Sequence, residues 1–126
     1  MSNDQPDIGS IAWRDLTVAD AEAVKAFYCD VVGWKSAPQR MGDYDDYNIQ
    51  TPRTGEIVAG ICHARGENAK IPPQWLMYIV VADVAESARR CVEKGGKVID
   101  GPRPMAGKNF CVIQDPAGAY VALIEA

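Results

Sequence analysis

The sequence predicts an α+β fold: two β-α-β-β-β modules pairing into a curved sheet around a central hollow, with the helices outside. Three observations predict it. The stretch "LTVADAEAVKAFY" (16–28) returns as "IVVADVAESARRC" (79–91), and the two Ala-Asp pairs stand half of the 126-residue chain apart. Each copy joins a run of period two to a run of period 3.6 at an Asp, which is a strand leading into a capped helix. Each helix is followed by glycine and then by three short strand-like runs divided by turn residues. One such module leaves a sheet face bare, so two must combine to bury their surface.

The elements follow in order. In "SIAWRDLTV", Ile11, Trp13, Asp15 and Thr17 share one face of a strand, and Ala12, Arg14, Leu16 and Val18 the other. Asp20 is placed to cap a helix whose stripe of Val24, Phe27, Tyr28 and Val31 is expected to pack on the sheet. Gly33 ends that helix. "WKSAP", "DYDDYNIQTP" and "EIVAGIC" read as three strands, the last two joined across "PRTG". In the second copy "WLMYIVVA" is the first strand, and Asp83 with Glu86 three residues on forms a capping-box pattern. Val84, Ala88, Cys91 and Val92 are expected to face inward, and Gly95-Gly96 stops the helix. "KVIDGP", "KNFCVIQDP" and "AYVALIEA" are the remaining strands, with "DPAG" as the turn between the last two.

The polar, acidic "MSNDQPDIGS" reads as a short loose tail, 1–9, without the basic and apolar segments of a secretory signal. A single domain over 10–126 then divides into a module at 10–62, a linker at 63–73 and a module at 74–126. The linker "HARGENAKIPP" has two prolines and no periodicity. Fully extended it reaches roughly 35–40 Å, long enough for closure within one chain or exchange of modules between chains.

Composition excludes several classes of function. The net charge is −4 and the 13 basic residues are scattered apart from Arg89-Arg90, so no concentrated basic face exists to displace counterions from nucleic acid. No apolar run is long enough for a membrane span. Cys29, Cys62, Cys91 and Cys111 are far apart without a Cys-x-x-Cys pair, which fits buried small hydrophobes in a reducing, cytoplasmic setting.

"FYCDVVGW" after the first helix, "GGKVIDGP" after the second and "VIQDPAGAYVALIE" at the end together resemble the vicinal oxygen chelate superfamily of glyoxalase I, extradiol dioxygenases and bleomycin-resistance proteins. The resemblance covers nearly the whole chain from Ser10. It implies a divalent ion held by four side chains, one on the first and one on the last strand of each module. Seven residues before Asp20 stands Trp13, and seven before Asp83 stands Leu76. The last-strand position of the second module falls at Ala122 and that of the first at Ala59, with Gly60 the alternative if the longer turn shifts the register. None of these side chains offers a lone pair to a metal. The resemblance therefore implies the fold without its metal site, and no cofactor is expected.

Other residues are candidates for binding. Asp15 shares the face of Trp13, where a carboxylate can orient a ligand, act as a general base, or stay solvated at the rim. Tyr78 and Tyr120 lie two residues from Leu76 and Ala122; with Trp13 and Trp75 they make either an aromatic wall for a flat ligand or ordinary core. Tyr44 and Tyr47, among acidic residues, cover a pocket mouth or form a solvated hairpin. His63 follows Cys62 directly, so the two point to opposite faces of a strand and do not grip one ion. Nothing in the sequence marks Cys62 or Cys111 as a reactive thiol.

Two function classes follow. The first is a metal-free protein that binds a small molecule, flat aromatics included, through Trp13, Asp15, Tyr47, Ala59, Trp75, Leu76, Tyr78, Tyr120 and Ala122. The second is a lyase or dioxygenase-type enzyme of the same superfamily, using rearranged metal ligands or metal-free acid–base catalysis at Asp15. The missing ligands favour the first. Superfamily modules often pair across chains, so the resemblance also implies a homodimer.

Overall fold

A computed structural model of the chain describes residues 7–126. Of the tail expected at 1–9, residues 1–6 lie outside the described residues. The rest turns into the first strand, with the Ser10 N–H and hydroxyl both donating to the Asp7 carbonyl at 3.0 and 2.6 Å. The order is β1 (Ile11–Val18), α1 (Ala21–Val32), β2 (Lys35–Arg40), β3 (Asp45–Gln50), β4 (Ile57–His63), then β5 (Trp75–Val81), α2 (Val84–Glu93), β6 (Lys97–Met105), β7 (Lys108–Gln114) and β8 (Tyr120–Glu125). The β-α-β-β-β order occurs twice, as the repeat predicts, and the fold is α+β. Between β4 and β5 the only regular element among the described residues is one 3-10 turn at Gly66–Asn68. No helix among the described residues is long and apolar enough to cross a membrane.

Two compact units form: residues 14–75, and residues 7–13 together with 76–126. In the first, the strands run β2-β3-β4-β1. β3 is antiparallel to β2 and β4, while β1 is parallel to β4, with Asp15 beside Gly60 and Thr17 beside Cys62. Leu16, Ala21, Ile49, Ala59 and Ile61 are buried under α1, flanked by Val24, Tyr28, Trp34, Tyr47 and Trp75. In the second unit the strands run β5-β8-β7-β6, with β5 parallel to β8 and Tyr78 beside Ala122. Its helix side holds Val84, Ala88, Cys111 and Leu123, flanked by Ile79, Val81, Val98 and Ile113.

Both helix starts are capped by their Asp, while the Glu86 carboxylate of the expected capping box is held instead by Arg89 and Arg90. Asp20 accepts from the Ala23 N–H and Asp83 from the Glu86 N–H, each at 3.1 Å. Gly33 closes α1 at φ 85°, a left-handed conformation in which a side chain would be strained. Gly96 is needed for a different reason. A Cβ there would stand 2.6 Å from the Cys91 sulfur and 2.8 Å from the Gln114 carbonyl oxygen, so only glycine lets the end of α2 pass this close to β7. The "DPAG" turn is pinned by Asp115, whose Oδ1 accepts from the Ala117 and Ala119 N–H groups at 2.8 and 3.0 Å.

The inward faces of the helices are narrower than expected. In α1, Val24 and Tyr28 pack against the sheet, but Phe27 and Val31 are 56% and 65% exposed. Phe27 lies one residue from inward Tyr28, about 100° around the helix, and Val31 continues the ridge of Phe27 one turn on, so one sheet face cannot cover that arc. Val92 of α2 is exposed for the same reason.

Candidate functional site

In the unit of residues 14–75, the sheet face turned away from α1 gathers a polar group. Asp15 and Thr17 of β1 stand beside Gly60 and Cys62 of β4, and Asn48 of β3 lies on the other side of Gly60. Asp46 is only 6% exposed; its Oδ1 accepts the His63 N–H at 2.9 Å, and its carboxylate also takes a hydrogen bond from the Cys62 thiol. Burial first, then the negative charges of Asp15 and Asp46, push the Cys62 thiol far above its ordinary range. It stays a protonated donor at neutral pH and supplies neither a nucleophile nor a thiolate ligand.

The same unit separates several residues that the sequence had grouped with Asp15. Ala59 packs under α1 while its neighbour Gly60 stands beside Asp15, so the register alternative at Gly60 is the one on the Asp15 face. Tyr47 also lies on the α1 side, two residues from buried Ile49, with the Lys25 ammonium 4.7 Å above its ring. Burial, followed by the charges of Glu22, Asp45, Asp46 and Asp20, raises the Tyr47 phenol. Trp75 joins Tyr28 and Trp34 rather than Asp15. Its indole N–H donates to the Tyr28 hydroxyl at 2.9 Å, and the three rings meet at 5.3–5.9 Å. Tyr44 covers neither group; it meets His63 edge-on at 5.5 Å and carries the Arg65 guanidinium 4.1 Å above its ring.

In the second unit, Leu76, Tyr78, Tyr120 and Ala122 share the face opposite α2, as alternation from the Tyr78–Ala122 and Gln114–Tyr120 pairs requires. Leu76, Tyr78 and Ala122 are fully buried, whereas Tyr120 is half-buried. Trp13, in the first residues of β1 that belong to this unit, is also half-buried.

Sequence reasoning missed the group that fills this face. The Phe110 ring stacks on Tyr78 at 6.1 Å and 12°, and the Arg103 guanidinium lies 4.8 Å above Phe110. Arg103 is forked onto Asp100, Nε to Oδ1 at 3.0 Å and Nη2 to Oδ2 at 2.8 Å, while the Tyr78 hydroxyl donates to the Met105 sulfur at 3.9 Å. The alternation of "KNFCVIQ" isolates Phe110 from Cys111, but both faces of that strand are apolar, so the pattern does not say which face is which.

The thiols give a direct test of these environments. Burial raises Cys111 to about 11, helped by Cys91 and Asp100. In folded protein at pH 8, Cys62 and Cys111 are expected to resist iodoacetamide, and all four cysteines to react after denaturation. Peptide mass spectrometry reads this, and rapid labelling of Cys62 in the folded state would refute its burial. The raised Cys111 proton also contributes stability that is intact below about 9 and lost as pH climbs through about 11.

Among the described residues no cluster of three or more His, Cys, Asp or Glu side chains is placed to hold a metal ion. The positions that the family resemblance assigns to ligands on β1, β4, β5 and β8 carry Trp13, Ala59 or Gly60, Leu76 and Ala122, whose chemistry does not fit a divalent cation.

Comparison with known proteins agrees with this architecture. The chain is 28% identical over 120 residues to the anthracycline biosynthesis protein DnrV of Streptomyces peucetius, and 29% identical over 120 residues to the anthracycline biosynthesis protein DauV of Streptomyces sp. (strain C5). Each match covers 93% of this chain but only 42% of the relative. Among solved structures, a Streptomyces coelicolor methylmalonyl-CoA epimerase in complex with 2-nitronate-propionyl-CoA matches at TM-score 0.55 and 17% identity, covering 95% of this chain and 96% of that one. A glyoxalase/bleomycin resistance protein/dioxygenase superfamily member from Vibrio splendidus 12B01 matches at TM-score 0.55 and 13% identity, covering 90% and 97%. At these identities the structural matches establish the fold. The family model for the Glyoxalase/Bleomycin resistance protein/Dioxygenase superfamily, a group that includes enzymes, matches residues 8–123. This chain belongs to that superfamily.

Proposed function

We propose that the protein binds a small, flat aromatic molecule without a metal of its own, and that it works as a cytoplasmic homodimer. The observation that carries this reading is the donor set: hydrocarbon, indole and glycine stand where the family chemistry needs imidazole or carboxylate. Without a Lewis acid, an enediolate or a bound oxygen has nothing to stabilise it. The relatives named for anthracycline biosynthesis support the ligand class, since an anthracycline is a fused, planar aromatic system. In this reading the half-buried rings of Trp13 and Tyr120 meet the ligand, with Leu76, Tyr78 and Ala122 beneath.

A second reading, metal-free acid–base catalysis, is favoured by one observation: Asp15 and Asp46 both act on Cys62 on a single sheet face. A carboxylate in that setting can exchange a proton with a bound molecule.

Thermal shift and tryptophan quenching with a panel of planar polycyclic aromatics, each with and without added Zn²⁺, Ni²⁺, Mn²⁺ or Fe²⁺, test the first reading. The expected result is stabilisation by an aromatic and none by the metals. Trp13→Ala should weaken that binding by about 1–3 kcal/mol, the range for losing one stacking platform. Stoichiometric metal bound tightly by the purified protein would refute the metal-free reading. Turnover of the bound aromatic, lost in Asp15→Asn, would favour the second.

A further inference from the structure

The duplication allows one sheet face to be compared, position by position, in the two units. Gly60 of β4 stands between Asp15 of β1 and Asn48 of β3; its counterpart, Ala122 of β8, stands between Tyr78 of β5 and Val112 of β7. One step along the strands, Thr17 beside Cys62 answers to Val80 beside Ile124. In the second unit these positions are apolar, and Tyr78, Val80, Val112 and Ala122 are fully buried. In the first unit they carry a carboxylate, a carboxamide, a hydroxyl and a thiol, with no side chain at Gly60. A face that only had to fill space would be apolar in both copies, as the helix-side faces are.

The polar groups of this face accept hydrogen bonds more than they donate them. The Asn48 Nδ2 is committed to the Gln39 Oε1 at 2.9 Å, which leaves the Asn48 carbonyl oxygen. The Cys62 thiol is committed to Asp46, a residue 6% exposed whose carboxylate adds a second negative charge to that of Asp15. No Lys or Arg stands on this face of β1, β3 or β4; on β2 it carries Lys35, beside Gln50. Thr17 is an independent observation. The residue is 3% exposed, and among the described residues its hydroxyl makes no hydrogen bond. Enclosing a hydroxyl without a partner costs free energy, and a donor on a ligand removes that cost.

We propose that this face of the first unit binds the ammonium group of a small primary amine, seated over Gly60, with Asp15 as its counter-ion and the Asn48 carbonyl and Thr17 hydroxyl as further acceptors. A primary ammonium has one positive charge and three N–H donors, so it matches one carboxylate and two neutral acceptors. Neighbouring strands lie about 4.8 Å apart, so Asp15 and Asn48 flank a nitrogen above Gly60 from both sides. The site goes beyond the aromatic reading and uses none of its residues. Turnover is not required either, because Asp15 acts here as a fixed charge.

Titration of isotope-labelled protein with n-butylammonium chloride, against sodium chloride at the same ionic strength, tests this by NMR. Saturable shifts are expected at the amides of Asp15, Thr17, Asn48 and Gly60, and none there with n-butanol or sodium butyrate. Asp15→Asn keeps the shape and removes the charge, and is expected to raise the dissociation constant at least about tenfold. Thr17→Val and Gly60→Ala each place the second unit's residue on this face, and each is expected to weaken binding at least about threefold. If Asp15→Asn or Gly60→Ala fails to fold, Thr17→Val, nearly identical in shape to the parent, carries the test. No saturable shift at these amides overturns the proposal, as do equal shifts with n-butanol. Folded Asp15→Asn and Thr17→Val proteins that bind the amine as tightly as the parent overturn it too.

Discussion

Replacing Phe110 with alanine is expected to lower the unfolding free energy by about 3–5 kcal/mol, the usual cost of emptying a large aromatic site in a core. Phe110 is fully buried, in a strand whose next two residues, Cys111 and Val112, are fully buried as well. Its ring stacks on Tyr78 and carries the Arg103 guanidinium 4.8 Å from its centre. Truncation therefore removes transfer free energy, leaves a cavity between groups that are themselves anchored, and strips a cation of its aromatic partner. Urea melts read the result as a lower midpoint at constant slope. A loss below about 1 kcal/mol would mean that the layers collapse onto each other and that the stack contributes little to the fold.

Asp100→Ala is expected to cost a similar amount, about 3–5 kcal/mol, by removing one partner of a buried ion pair. The two side chains of the pair are 7% and 18% exposed, so water replaces little of what the carboxylate supplied. The fork also braces β6 where its pairing with β7 is irregular, between Val98 and Arg103. A companion variant separates the charge from the brace. Asp100→Leu/Arg103→Met removes both charges, and if desolvation dominates it should return most of the lost stability. A single variant as stable as the parent would show that Arg103 simply swings into solvent.

Both expectations concern residues that the sequence did not single out, and the reason is physical. Period-two alternation names the members of each face but not which face is covered, and in β7 both faces are apolar. The elements themselves were legible because local chemistry decides them: Asp20 and Asp83 cap helices through their own carboxylates, and Gly33 is left-handed because a side chain would be strained there. The placement of Tyr47 was also readable in principle, since it lies two residues from Ile49 and so shares its face. Ala59 against Gly60 depended on the length of the turn after β3, which only the pairing of Asp15 with Gly60 fixes. Phe27 and Val31 carry the spacing of a buried stripe, and the spacing holds. What it cannot reveal is whether the sheet or another molecule covers it.

The parallel pairing of the first and last strands of each module has a consequence for how the chain acquires its structure. Asp15 pairs with Gly60 and Tyr78 with Ala122 across the helix and strands that lie between them in the chain. Closing so long a loop costs entropy before any contact offsets it, so distant pairings of this kind slow folding relative to local helix formation. On a ribosome, β1 must wait for nearly the whole first module to emerge before it can find β4. During that interval the apolar side chains of Leu16 and Val18 have no sheet to join, and an unpaired apolar strand of this kind is open to chaperones and to aggregation.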